Sequence, residues 1–238
     1  YHEAGHAVCA MMVKGNDPLH KVTIVPRGRA LGIAFVLPED DRVSMTRMQL
    51  EANLVRMYGG RAAEELVFGK ERVTTGAASD IQTATSLARR YVTQWGLSEA
   101  IGPILVGDNE QELFLGREIQ HRREVSEQTA QLVDTEVKRI IEKAYDRAKH
   151  VLQENMELLH AVAQALLDRE TLGRDEVNAL ARGEKLPPRT PTPPIKPSPQ
   201  PHTPALEPKR NPPLLGGPEP SPPESSAESR GRGEGRTT

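Results

Sequence analysis

Apolar and polar positions divide this chain into a long patterned stretch and a shorter one without pattern. Residues 2–13 carry apolar side chains at helical spacing, and "KGNDP" at 14–18 ends the run with glycine, asparagine and proline. Two β-branched runs follow, "HKVTIVP" at 20–26 and "LGIAFVLP" at 31–38, separated by Arg27, Gly28, Arg29 and Ala30. They predict a β-hairpin or a small sheet. Beyond residue 44 the pattern is helical over 45–58, over 61–68 past an expected break at Gly59-Gly60, and over 81–94. A long helix is expected over about 126–153, with Leu132/Val133, Val137, Ile140/Ile141, Ala144/Tyr145, Ala148 and Val151/Leu152 on one face. Helices at about 156–168 and 174–181 complete a mostly α domain with a small β element near its N-terminus. The polar segment 107–124 predicts a mobile loop.

Composition sharpens the division. Of the 20 prolines only Pro18, Pro26, Pro38 and Pro103 precede Pro187. Each proline fixes φ and removes a backbone donor, so 187–238 is expected to be a disordered, proline-rich tail, and the folding domain to be 1–186. The chain's formal charge of −2 shows no basic surface of the kind that binds nucleic acid. Cys9, the single cysteine, excludes an internal disulfide and fits a reducing compartment. No apolar run reaches the ~18 residues of a membrane span, and no signal peptide is evident, so this piece is expected to be soluble. Its abrupt start, inside a helical pattern, leads us to expect a fragment of a longer protein.

The opening "YHEAGHAVCAMMV" contains His-Glu-x-x-His. Residues four apart share a helix face, so His2 and His6 can both reach one Zn²⁺. Glu3 sits about 100° further round, where its carboxylate can serve as a general base on a water rather than as a ligand. The small residues Ala4, Gly5 and Ala7 allow another backbone or a substrate to come close. A catalytic zinc site needs a third protein ligand and an open position. An extended motif with a further histidine six residues on fails, because position 12 is Met12, and Cys9 reads better as a buried core thiol. Two acidic candidates remain: the Glu64-Glu65 pair in "GGRAAEELVFG", and Asp80 in "TTGAASDIQTAT". Ser79 with Gln82 predicts a capping box that would leave Asp80 free, but spacing alone leaves both candidates open.

With these residues in view, the chain resembles the protease domain of the FtsH-type, membrane-anchored, ATP-dependent zinc metalloproteases. The resemblance covers about residues 1–182 and rests on ordered blocks: "RALGIAFVLPEDDR", "GGRAAEELVFG", "TTGAASDIQTAT", "WGLSEAIGPI", "FLGRE" and "ALLDRETLGRDEV" as well as the histidine motif. It implies that His2, His6 and Asp80 bind Zn²⁺, that Glu3 is the catalytic base, and that Glu64 supports the site from behind the ligands. It also implies a hexameric ring, protein and peptide substrates, and an AAA+ ATPase domain and membrane anchor outside this chain. The full-length protein would then be membrane-associated on the cytoplasmic side. Ser79 and Leu97 stand where the family often has Asn and Met. No G-x-x-x-x-G-K-[ST] phosphate loop occurs here, so ATP enters only through that other domain.

The expected activity is metal-assisted peptide-bond hydrolysis. An extended substrate is expected to add to the sheet edge at Gly32, Ile33, Ala34, Phe35 and Val36, held by main-chain hydrogen bonds with little demand on side chains. The competing reading is a non-catalytic assembly module whose tail recruits a polyproline-binding partner through stretches such as "PTPP". An intramembrane protease is excluded by the charged helices and a mean hydropathy of −0.54.

Overall fold

The computed structural model describes residues 1–26, 32–38, 44–107 and 125–188. The expected hairpin turn at 27–30, most of the expected mobile loop and nearly all of the proline-rich tail lie outside them. Among the described residues the chain forms six α-helices and one three-stranded sheet. This is the mostly α fold with a small β element that the pattern predicts.

Helix α1 (His2–Met12) is buried along Ala4–Ala10, apolar on nearly every side. A helix of that kind belongs in the middle of a domain. It packs chiefly on α2 (Arg47–Phe68), whose start is fixed by a capping box. There the Thr46 hydroxyl accepts from the Gln49 amide, while the Gln49 side chain accepts from the Thr46 N–H at 2.8 Å.

Helix α2 runs unbroken through Gly59 and Gly60, against the expected break. These glycines serve contact rather than termination. A Cβ on Gly5 would lie 2.2 Å from the Gly59 carbonyl oxygen, and one on Gly59 would lie 2.6 Å from that of Gly5. The two helices therefore touch backbone to backbone, and the favourable i to i−4 bonding of α2 continues because nothing at that point competes with it.

Helix α3 (Ala78–Thr93) begins three residues earlier than expected, and the Ser79–Gln82 capping box does not form. A 3₁₀ turn at Thr75–Ala77 leads into the helix, and the Thr74 hydroxyl caps that turn by accepting from the Gly76 N–H. Ser79 therefore lies inside the first turn of α3, and Asp80 follows it there. Helix α4 (Glu127–Glu154), capped by Ser126, buries Val133, Val137, Ile140, Ala144, Ala148 and Leu152, the expected stripe, against α2 and α3. Helices α5 (Met156–Arg169) and α6 (Arg174–Ala181) match their expected spans closely.

Strands β1 (Leu19–Thr23) and β2 (Ile33–Val36) pair antiparallel, as the alternation predicts, with Thr23 opposite Ile33. A third strand, β3 (Thr171–Gly173), pairs with the other side of β1. Three residues carry too little alternation to be recognised as a strand. What places them is Glu170 in the left-handed region at φ 62°, whose carbonyl accepts from the Thr23 hydroxyl and the Ile24 N–H. In the order β2-β1-β3, β2 lies at the edge of the sheet and has no further strand beside it among the described residues.

Substituting Gly59→Ala tests the backbone contact. Helix propensity alone would make this change stabilising by about 1 kcal/mol. The clash with Gly5 should instead destabilise the domain by about 1–3 kcal/mol or more, read as a lower midpoint in urea unfolding with an unchanged slope.

Candidate metal centre

Helix α1 brings His2, Glu3 and His6 to one wall of a cleft of about 640 Å³, as their spacing requires. The two imidazoles stand edge to face, with ring centroids 4.8 Å apart. Each is oriented by an acceptor from α2. The Nδ1 of His6 donates to the Arg56 carbonyl at 2.8 Å, and the Nδ1 of His2 donates to the Glu64 carboxylate at 2.8 Å. A carbonyl only accepts, and so does an ionised carboxylate, so in both neutral rings the proton resides on Nδ1. Both Nε2 lone pairs then point into the cleft.

Asp80 reaches the same point from the first turn of α3. Its Oδ2 lies 3.3 Å from Nε2 of His2 and 3.4 Å from Nε2 of His6, and the two nitrogens are 3.1 Å apart. Three ligands at 2.0–2.1 Å around a tetrahedral ion stand about 3.3 Å from one another. The described residues thus hold a donor set, two imidazoles and a carboxylate, whose spacing and chemistry fit Zn²⁺. Gly60 makes the convergence sterically possible, since a Cβ there would lie 2.5 Å from Nε2 of His2 and 2.6 Å from that of His6.

The charges follow from this packing. Burial alone would raise the pKa of Asp80, but hydrogen bonds and charge from the adjoining His2 and His6 rings, in the state in which their Nε2 atoms carry protons in place of a cation, outweigh it and hold the carboxyl well below the usual range. Burial alone would lower that of His2, yet its contacts with Asp80 and Glu64 leave it raised. Glu64 is 6 % exposed, and burial works against its charge. The Thr74 N–H at 2.9 Å and the His2 ring nevertheless keep it ionised. Glu3 is the opposite case: burial raises its pKa despite the nearby histidines, and it accepts no hydrogen bond among the described residues. Its side chain lies against Gly32, where a Cβ would come 2.6 Å from its Cγ.

The two acidic candidates left open by spacing are now separated in space. Glu64 meets Nδ1 of His2, on the far side of the ring from the convergence point. Glu65 turns to α4, where it meets the Tyr145 hydroxyl and the Lys149 ammonium. Cys9 is fully buried against Gly59, and burial pushes its thiol up to about 12. Gly32, just before β2, and Ile33 and Ala34 at its start line the cleft. Phe35 instead stacks under the Lys21 ammonium at 5.1 Å, and Val36 packs against the core. Sequence reasoning missed Arg56, Thr74, Ile24 and Tyr1. Two of these act through backbone groups, which leave no mark on residue type.

Comparison with known proteins identifies relatives of the chain. The chain is 54 % identical over 184 residues to a Magnetococcus marinus protein described as ATP-dependent zinc metalloprotease FtsH, covering 77 % of this chain and 27 % of that one. It is 49 % identical over 189 residues to the protein of that description in Caulobacter vibrioides, covering 79 % and 30 %. For the Haemophilus influenzae protein the identity is 47 % over 188 residues, again 79 % and 30 %. The chain therefore spans less than a third of the length of the curated relatives it matches. The sequence profile of peptidase family M41 matches residues 1–180, and the chain belongs to that family.

Proposed function

We propose that this chain is the proteolytic part of an ATP-dependent zinc metalloendopeptidase, with His2, His6 and Asp80 holding one Zn²⁺. The observation that carries this reading is the convergence of the two Nε2 atoms and the Asp80 Oδ2 on a single point, with each Nδ1 on an acceptor behind it. Zinc bound there supplies a Lewis acid that acidifies a water and polarises a peptide carbonyl. Glu3 takes the proton of the attacking water, a role that suits a half-buried carboxylate with a raised pKa and no competing donor. It then delivers that proton to the departing amine nitrogen as the C–N bond breaks. Glu64 keeps His2 in the ligating tautomer, and Gly32 leaves space for the Glu3 side chain.

Substrate binding is assigned to the open edge of β2, from Gly32 to Val36. The Leu37 N–H donates to the Pro18 carbonyl, on the β1 side. Alternation along the strand then turns the backbone groups of Ala34 and Val36 outward, available to an extended peptide. Recognition through main-chain groups suits unfolded or membrane proteins of varied sequence. A nucleotide-driven unfolding step is proposed for the whole protein on the strength of the relatives' description as ATP-dependent, and a membrane anchor and a hexameric ring on the resemblance to the FtsH-type family alone. No helix among the described residues is long and apolar enough to cross a membrane. The catalytic domain is taken to end near residue 186, with the proline-rich tail beyond it.

Metal content of purified variants, measured side by side, tests the ligand set. Asp80→Asn and Gly60→Ala should retain no zinc after dialysis, whereas Glu64→Gln should bind it roughly 10–100-fold more weakly. Full zinc occupancy in Asp80→Asn would dismantle the assignment. Glu3→Gln should keep the metal and lose at least about 100-fold of casein cleavage, and normal turnover by that variant would remove Glu3 from the chemistry. At the strand edge, Ala34→Pro deletes an outward N–H while sparing the ladder to β1. Cleavage of extended peptides should drop about tenfold through KM, and unchanged kinetics would move the substrate elsewhere.

A further inference from the structure

Helix α2 presents Arg56, Gly60 and Glu64 at intervals of four, along one face beneath the cleft. Gly60 lies under the two imidazoles, and Glu64 is satisfied by His2 and Thr74. Arg56 is different. Its backbone carbonyl is taken by His6, but its guanidinium lines the cleft with a single hydrogen bond among the described residues, from Nη2 to the neutral Oδ1 of Asn53 at 2.9 Å. Its Nε is shut off from water and meets no acceptor. Two carboxylates act on it by charge, Asp80 the more strongly and Asp17 after it; Asp80 is turned to the histidines, and neither shares a hydrogen bond with the guanidinium among the described residues.

Buried cations are ordinarily paired with an anion, and a guanidinium fits a carboxylate with two parallel hydrogen bonds. One helical turn separates Arg56 from Gly60, a rise of about 6 Å. An extended peptide advances about 3.3 Å per residue, so a scissile bond held above Gly60 brings a side chain one or two positions away over Arg56. Ile24 and Ile33 line the same cleft and offer an acidic side chain's methylenes an apolar surface.

We propose that Arg56 is a specificity-determining residue that binds the side-chain carboxylate of an Asp or Glu lying one or two positions from the scissile bond. The proposal rests on the peptidase reading above. It adds a preference that main-chain recognition along β2 does not supply, and gives the cleft a cationic end.

Binding, rather than turnover, provides the test. Zinc-loaded Glu3→Gln protein is titrated with fluorescein-labelled extended peptides in which one residue at a time is Glu, Gln or Lys, followed by anisotropy. At one position the Glu peptide should bind about tenfold more tightly than the Lys peptide. Adding Arg56→Gln should abolish that preference, and Arg56→Glu should invert it. Arg56→Lys should keep its sign at a smaller ratio, which covers the case in which the neutral variant does not fold. A peptide ending at that position with a free carboxylate, compared with its amide, distinguishes a chain terminus from an acidic side chain as the bound group. Preference for the terminus alone would overturn the proposal. So would the absence of any position that separates Glu from Lys, a preference that survives Arg56→Gln, or equal weakening of all peptides. Casein cleavage by the unsubstituted chain reports separately on the peptidase reading, so the two can fail independently.

Discussion

Helices α1 and α2 meet backbone to backbone at Gly5 and Gly59, and the position of every ligand-orienting group on α2 follows from that closeness. With ordinary side chains at the crossing, helix axes stand 8–10 Å apart, and the Arg56 carbonyl could not reach Nδ1 of His6 at 2.8 Å. Nor could Gly60 sit directly beneath both Nε2 atoms. One contact between glycines therefore fixes the tautomers of two histidines. It does so through a backbone carbonyl for one ring and a carboxylate for the other, acceptors that hold the Nδ1 protons in place.

The sequence made some of this plain and hid the rest for identifiable reasons. His2, Glu3 and His6 are legible because their relation is local: helical periodicity alone places them. Asp80 lies 74 residues further on, and no periodicity spans such a distance, so only resemblance to a family singled it out. The Gly59-Gly60 pair was legible as unusual but misread. Glycine signals either a chain reversal or a close approach, and which one applies depends on what lies opposite, here Gly5. The start of α3 was misread for a similar reason. Ser79 and Gln82 have the right types and spacing for a capping box, but Thr74 had already capped the turn leading into the helix. Strand β3 owes its existence to its partner β1 and to the bend at Glu170, neither of which is a property of "TLG".

Electrostatics and packing pull against each other at this site. Two imidazole lone pairs and a carboxylate converge in a half-buried pocket, an arrangement that is repulsive unless a cation or a proton occupies the centre. The fold sustains it with rigid elements on three sides, a common way for proteins to hold a locally unfavourable constellation ready for function. Glu3, by contrast, meets no donor among the described residues, and burial raises its pKa. Two carboxylates in one cleft are thus driven apart in proton affinity by their surroundings, Asp80 downward by hydrogen bonds and charge from two imidazoles when protons fill the centre, and Glu3 upward by burial.

The contacts around the centre also close on themselves. His2 donates through Nδ1 to Glu64, and Glu64 accepts from the N–H of Thr74. The hydroxyl of Thr74 then caps the turn that opens α3, and the first turn of α3 presents Asp80 to the Nε2 of the same His2. His2 is thereby joined to Asp80 twice, once across the convergence point and once through the polypeptide behind it. Movement of any member of that ring is transmitted to the next, because each link is a hydrogen bond or a rigid turn rather than a flexible side chain in solvent. That closure explains how Asp80, so far away in sequence, can be positioned as well as two histidines that are neighbours on one helix. It also identifies Thr74, which touches neither Nε2 at the convergence point, as part of the framework that aims them.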